Sequence, residues 1–108
     1  TAVGDNDKDI VTLINALIYA KGGVGVIENG KVELLQLPIA GLMTDKSAEE
    51  VANLYGVLDS KAKSLGCKLR SPFITMAFMA LPVIPELKLT DKGLVDVNAF
   101  DFTTVEVE

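Results

Sequence analysis

Asn29-Gly30 is the residue pair that most limits how this chain folds. Both residues tolerate the positive φ of a two-residue type I′ turn, and they separate two apolar runs, VGVIE and KVELLQL. A two-residue loop also sets the register. Glu28 then faces Lys31, an opposite-charge pair, and Ile27 faces Val32, an apolar one. The spacing predicts an antiparallel hairpin, and the neighbouring elements must be arranged around it.

Before the hairpin, Thr1–Val3 reads as a strand end and GDNDKDIVTLINALIYAKGG as a helix. Ile10, Leu13, Ile14, Leu17 and Ile18 recur on one apolar face. Asn6 or Asp5 serves as the cap, and Asp7 and Asp9 suit the positive helix end. Lys21 falls in the last turn, with Gly22 the expected residue just past it. Two look-alikes fail on composition. DNDKD starts like a calcium loop, but Ile10 replaces the required glycine at position 6 and Ala16 the glutamate at position 12. KGGVGV starts like a phosphate loop, but Glu28 stands where the third glycine belongs.

After the hairpin, Leu37-Pro38 ends the strand, since proline donates nothing to a ladder. IAGLMTD then forms a loop that carries no charge until Asp45. Ser47 and Glu50 spell a capping box. The helix behind it shows Val51, Leu54, Tyr55, Leu58, Ala62 and Leu65 on one face, Lys61 and Lys63 near its negative end, and Gly66 as its stop. Gly56, inside that helix, predicts a close packing contact. Ser71-Pro72 opens a further helix whose FITMAFMAL is apolar all round, which predicts burial in this core or against a partner. PVIPELKL reads as extended, TDKG (Thr90–Gly93) as a turn, and DFTTVEVE as a final strand with a bulge at Thr103-Thr104.

The fold class that follows is α/β of the α+β type, a single domain over residues 1–108. A mixed sheet takes the hairpin and the terminal strand. Two main amphipathic helices, 6–21 and 47–65, pack on it with one short buried helix. A chain of 108 residues suits one domain with one modest core.

Composition narrows function mainly by exclusion. Net charge is −5, with no run of Lys or Arg, which speaks against nucleic acid and against an anionic membrane surface. The longest apolar stretch, Phe73 to Ile84, is too short to span a bilayer and is broken by Pro82. The one cysteine, Cys67, rules out an internal disulfide and suits a reducing, cytoplasmic setting. There is no histidine, which removes the commonest general base and the commonest metal ligand together. The acids fall at caps, turns and strand edges. No catalytic, cofactor-binding or metal-binding residue is therefore assigned, and the chain reads as performing no reaction alone.

Several longer strings go further. LPIAGLMTD, a helix ending LGCKL, PFITMAFMALPVIPELKLTDKGLVDV and the closing FDFTTVEVE together resemble the C-terminal domain of bacterial adenine deaminase, as do the ENGKV turn and VGDNDKDI at the start. The resemblance runs over essentially the whole chain. It implies a parent enzyme of the amidohydrolase superfamily that converts adenine to hypoxanthine and ammonia. A metal-activated water, with Mn or Fe as the divalent metal, would act in an upstream (β/α)8 barrel that is absent from this chain. It implies the barrel and a homo-oligomer of the parent as partners, and no metal ligand on these residues. The candidate docking surface for the barrel or a second subunit comprises Leu37, Pro38, Ile39, Leu42, Met43, Phe73, Met76, Phe78 and Met79. The alternative is a stand-alone small-molecule-binding or regulatory/oligomerisation module of the same fold.

Overall fold

The computed structural model describes residues 1–106. Its elements in order are β1 (Ala2–Val3), α1 (Asp7–Tyr19), β2 (Gly23–Glu28), β3 (Lys31–Gln36), α2 (Ala48–Ser64), α3 (Pro72–Met79), β4 (Leu87–Thr90), β5 (Gly93–Asp96) and β6 (Asp101–Thr103). The class is α+β, with three helices and two small sheets. The chain divides into two compact units, Thr1–Phe73 and a second that starts at Ile74.

In the first unit the sheet order is β1-β2-β3. The hairpin forms in the expected register, with Glu28 opposite Lys31 and Ile27 opposite Val32. Asn29 and Gly30 both take positive φ, at 51° and 77°, as a type I′ turn requires. β1 pairs parallel to β2, Ala2 with Gly25 and Val3 with Val26, so α1 is the crossover between parallel neighbours. Asn6 is the cap, and its side-chain oxygen accepts from Asp9 N at 2.9 Å. Asp9 does more than complement the helix end. Its buried carboxylate accepts from Gly30 N at 3.3 Å and so ties the first turn of α1 to the hairpin turn.

The apolar stripe of α1 divides. Leu13 and Leu17 turn inward on Ile27 to form the core, whereas Ile14 and Ile18 face outward. The end of α1 also differs from expectation. Lys21, not Gly22, takes the left-handed conformation past the cap, with φ 61°. Lys21 N donates to Ile18 O at 3.0 Å and Gly22 N to Leu17 O at 2.9 Å, the paired bonds of a Schellman ending. Gly22 and Gly23 answer a different need. A Cβ on Gly22 would lie 2.6 Å from Gly41 Cα, and one on Gly23 would lie 2.3 Å from the Leu35 carbonyl oxygen. Only bare backbone fits there.

On α2, Leu58 and Ala62 are buried, and Val51, Leu54, Tyr55 and Leu65 are half-buried on the same face. The capping box is half made. Ser47 Oγ accepts from Glu50 N at 3.2 Å, while the Glu50 carboxylate takes Lys46 Nζ at 2.6 Å. Gly66 ends the helix as expected, with Cys67 N donating to Ala62 O and Gly66 N to Lys63 O. Gly56 corrects an expectation: it is exposed and an added Cβ would meet nothing within 4 Å. No close contact needs it. α2 is joined to β3 by Lys61 Nζ, which donates to Glu33 Oε1 at 2.6 Å, with Lys31 Nζ 3.7 Å from the same oxygen.

The second unit carries its own sheet, order β4-β5-β6, antiparallel throughout. Thr90–Gly93 is the expected turn and joins β4 to β5 as a hairpin. The hairpin and the terminal strand therefore lie in separate sheets rather than one. The terminal strand is also shorter than expected. β6 stops at Thr103, opposite Leu94. Val107 and Glu108, part of the expected strand, lie outside the described residues. PVIPELKL becomes strand only at Leu87; the prolines on either side of Val83-Ile84 hold the preceding stretch in turns. The short helix α3 is buried only at its start, through Pro72 and Phe73; Ile74, Phe78 and Met79 are exposed.

Two outcomes test this description. Gly56→Ala should raise the unfolding free energy by about 0.5–1 kcal/mol, whereas Gly23→Ala should lower it by more than about 2 kcal/mol. Urea denaturation of both variants measures this, and a destabilising Gly56→Ala would contradict the open surroundings of that residue. The second outcome concerns acid. The hydrogen bond from Lys61 holds the Glu33 carboxyl below the ordinary glutamate value; desolvation opposes it, and the charges of Lys61 and Lys31 add to the lowering. A depressed carboxyl stabilises the fold above its unfolded value, and that contribution is lost as pH falls through the folded value. Urea midpoints of the native chain and Glu33→Gln should therefore differ near neutrality and converge on the acid side of the ordinary glutamate value. An equal gap at both pH values would remove the linkage.

Candidate functional site

The loop after β3 is held by its backbone. Leu37 N donates to Gly22 O at 3.0 Å, and Gln36 Nε2 donates to Ala20 O at 2.9 Å. Ala40 and Gly41 take positive φ, at 56° and 72°, and Leu42 N donates to Ile39 O at 3.0 Å to close a tight turn. Ile39 and Met43 exchange both backbone bonds at 3.1 Å. With Gly41 set against Gly22, the main chain is committed inward and the side chains are left outward. Pro38, Ile39, Leu42 and Met43 are exposed, Leu42 to 77%, and Leu37 is half-buried. The apolar content of this loop fills no core.

Beside the loop, α1 presents Val11, Ile14 and Ile18, the last 70% exposed. A groove of about 460 Å³ lies here, lined by Thr1, Ala2, Ile14, Leu17, Ile18 and the three glycines at 22, 23 and 41. No charged side chain lines it. Sequence reasoning missed this groove because periodicity assigned Ile14 and Ile18 to the buried face. The signal that was available is the GG pair after the helix, which demands a close backbone neighbour.

Phe73 packs in the first unit at 2% exposure, its ring edge-on to Tyr55 with centroids 5.7 Å apart. Among the described residues the Tyr55 hydroxyl is a buried polar group with no hydrogen-bond partner. Burial pushes that hydroxyl up, and the charge of Asp59 adds to the shift.

In the second unit Met76 is half-buried, while Phe78 and Met79 are exposed and border a shallow pocket with Ile84, Pro85 and Lys88. A second pocket of about 320 Å³ is bounded by Pro82, Val83, Val95, Phe100, Asp101 and Phe102. No described side chain from Ile74 onward is fully buried, and Leu87 and Leu89 on β4 are exposed. This unit has a sheet with no closed core of its own.

The chemistry on these surfaces is sparse. Among the described residues no three His, Cys, Asp or Glu side chains come together as a metal could use. Cys67 is a free, half-buried thiol in the turn that ends α2. Among the described residues no helix is long and apolar enough to cross a membrane.

The adenine deaminase C-terminal domain family matches residues 1–101, and the chain belongs to that family. Its relatives carry the name adenine deaminase. That of Dehalococcoides mccartyi is 50% identical over 92% of this chain. That of Clostridium botulinum is 48% identical over 98%, and that of Methanosarcina mazei 55% identical over 94%. The chain spans only about 18% of the length of each, so it corresponds to one domain of these larger proteins. No solved structure matches.

The exposure pattern has a direct consequence for stability. Leu42→Asp should change the unfolding free energy by no more than about 0.5 kcal/mol, whereas Phe73→Ala should cost about 3–5 kcal/mol. Denaturant titration compares them. A costly Leu42→Asp would mean that the loop packs into the chain's own core.

Proposed function

We propose that this chain is the non-catalytic C-terminal domain of an adenine deaminase. In this reading the parent hydrolyses adenine to hypoxanthine and ammonia, as part of purine salvage and adenine catabolism in the cytoplasm. The chemistry resides in an upstream (β/α)8 barrel of the amidohydrolase superfamily, where a divalent metal, Mn or Fe, activates the attacking water. The residues of this chain form one structural domain of a homo-oligomeric parent and supply surface. Pro38, Ile39, Leu42 and Met43 in the first unit, and Met76, Phe78 and Met79 in the second, meet the barrel or a neighbouring subunit. Of the other residues expected on this surface, Leu37 is half-buried and Phe73 is buried in the first unit.

The observation that carries this reading is the family match over residues 1–101, in relatives more than five times as long. Two others support it. The chain has no histidine to serve as base or ligand. Its loop and its second sheet expose apolar side chains in a quantity that usually marks an interface.

The test measures ammonia released from adenine in the presence of Mn²⁺. The complete parent should be active, and the parent truncated before Thr1 should lose most of that activity or its stability. This chain alone should release none. Metal-dependent release by the chain alone would overturn the non-catalytic assignment, and an inactive complete parent would overturn the substrate.

A further inference from the structure

The groove beside Thr1 combines an unpartnered apolar wall with a strand that is already entering it. The nitrogen of Thr1 donates to Gly23 O at 2.8 Å, and Gly25 N donates to Thr1 O at 2.9 Å. Parallel pairing with β2 is therefore under way at Thr1 itself. A residue bonded to that nitrogen would stand opposite Gly23, the first residue of β2, and those before it would pass Gly22. That path leads between Ile14 and Ile18 of α1 and the backbone of Gly41, which are the walls of the groove.

We infer that this groove is the seat of the polypeptide segment immediately preceding Thr1 in the parent, which lies there extended as an upstream continuation of β1. The inference rests on the adenine deaminase reading, in which this chain follows a much longer stretch of polypeptide. The chemistry of the groove suits such an occupant. Its floor is glycine backbone, which admits another main chain at close range. Its walls are aliphatic, and no charged side chain is present to fix a polar small molecule. Ile18, 70% exposed in this chain, becomes covered. The stripe on α1 that appears half wasted is then used on both sides, Leu13 and Leu17 against the sheet and Ile14 and Ile18 against the incoming segment. The same seating fixes the direction in which the chain arrives at this domain, because a strand paired with β2 has no freedom to pivot at Thr1.

Hydrogen exchange on the complete parent tests this. The amides of the few residues before Thr1 should be protected at least tenfold relative to an unstructured peptide. Ile18→Asp in the parent should abolish that protection, while Val57→Asp, an exposed apolar position on α2, should leave it intact. Ile18→Ala serves as a milder variant, should Ile18→Asp fail to fold, and should reduce the protection without removing it. Fast exchange before Thr1 in the unaltered parent would overturn the inference. So would protection that neither Ile18 variant changes. Ammonia release from adenine by the same preparations separates the two claims. An inactive but protected parent loses its assigned substrate and keeps the seated segment, and an active but unprotected parent does the reverse.

Discussion

The first unit depends on one close approach of main chain to main chain. Gly22 lies against Gly41, and Gly23 lies against the Leu35 carbonyl, at separations that no Cβ survives. This contact sets where α1 stops, where β2 begins and where the loop after β3 is laid down. Leu37 N on Gly22 O and the Gln36 amide on Ala20 O then fasten it. With the backbone drawn inward, the side chains of Ile39, Leu42 and Met43 have nowhere to go but out. An apolar loop on the surface is thus a consequence of the glycine junction and not a failure of packing.

A second set of ties joins distant parts of the same unit through polar groups. Asp9 reaches from the first turn of α1 to Gly30 in the hairpin turn, and Lys61 reaches from α2 to Glu33 on β3. Each links a helix to the hairpin, α1 at its turn and α2 at β3, so the hairpin is the common anchor for both helices. The aliphatic core of Leu13, Leu17 and Ile27 is small, and such directed bonds help to specify how the elements sit around it. The second unit is built differently. Its three short strands hold their ladder, yet no side chain among its described residues is fully buried. A sheet of this size leaves leucines and phenylalanines exposed, Leu87, Leu89, Phe100 and Phe102 among them.

In the proposed reading the chemistry of the parent lies outside this domain. The described residues offer exposed apolar area. Asp9, Glu33 and Lys61 are committed to ties between elements, and Glu50 pairs with Lys46 beside the start of α2. That use of charge is consistent with a chain that has no histidine and gathers no metal-binding cluster among its described residues.

Local signals read directly from the chain were those that depend on one or two residues. The hairpin and its register followed from Asn29-Gly30, the end of α2 from Gly66, and the helix starts from the Asp5-Asn6 pair, Ser47 and Ser71-Pro72. The class α+β and the family resemblance were legible for the same reason: short motifs and their order survive without any knowledge of packing. Tertiary structure decided which half of each apolar stripe is covered. Periodicity places Ile14 and Ile18 beside Leu13 and Leu17, but a small sheet covers only part of a helix, and the rest faces outward. It also decided that Gly56 is free while Gly23 is not, that α3 is buried only at Phe73, and that the last strand joins a sheet of its own. Each of these turns on which surface arrives opposite a residue, and a sequence of residues does not carry that distance.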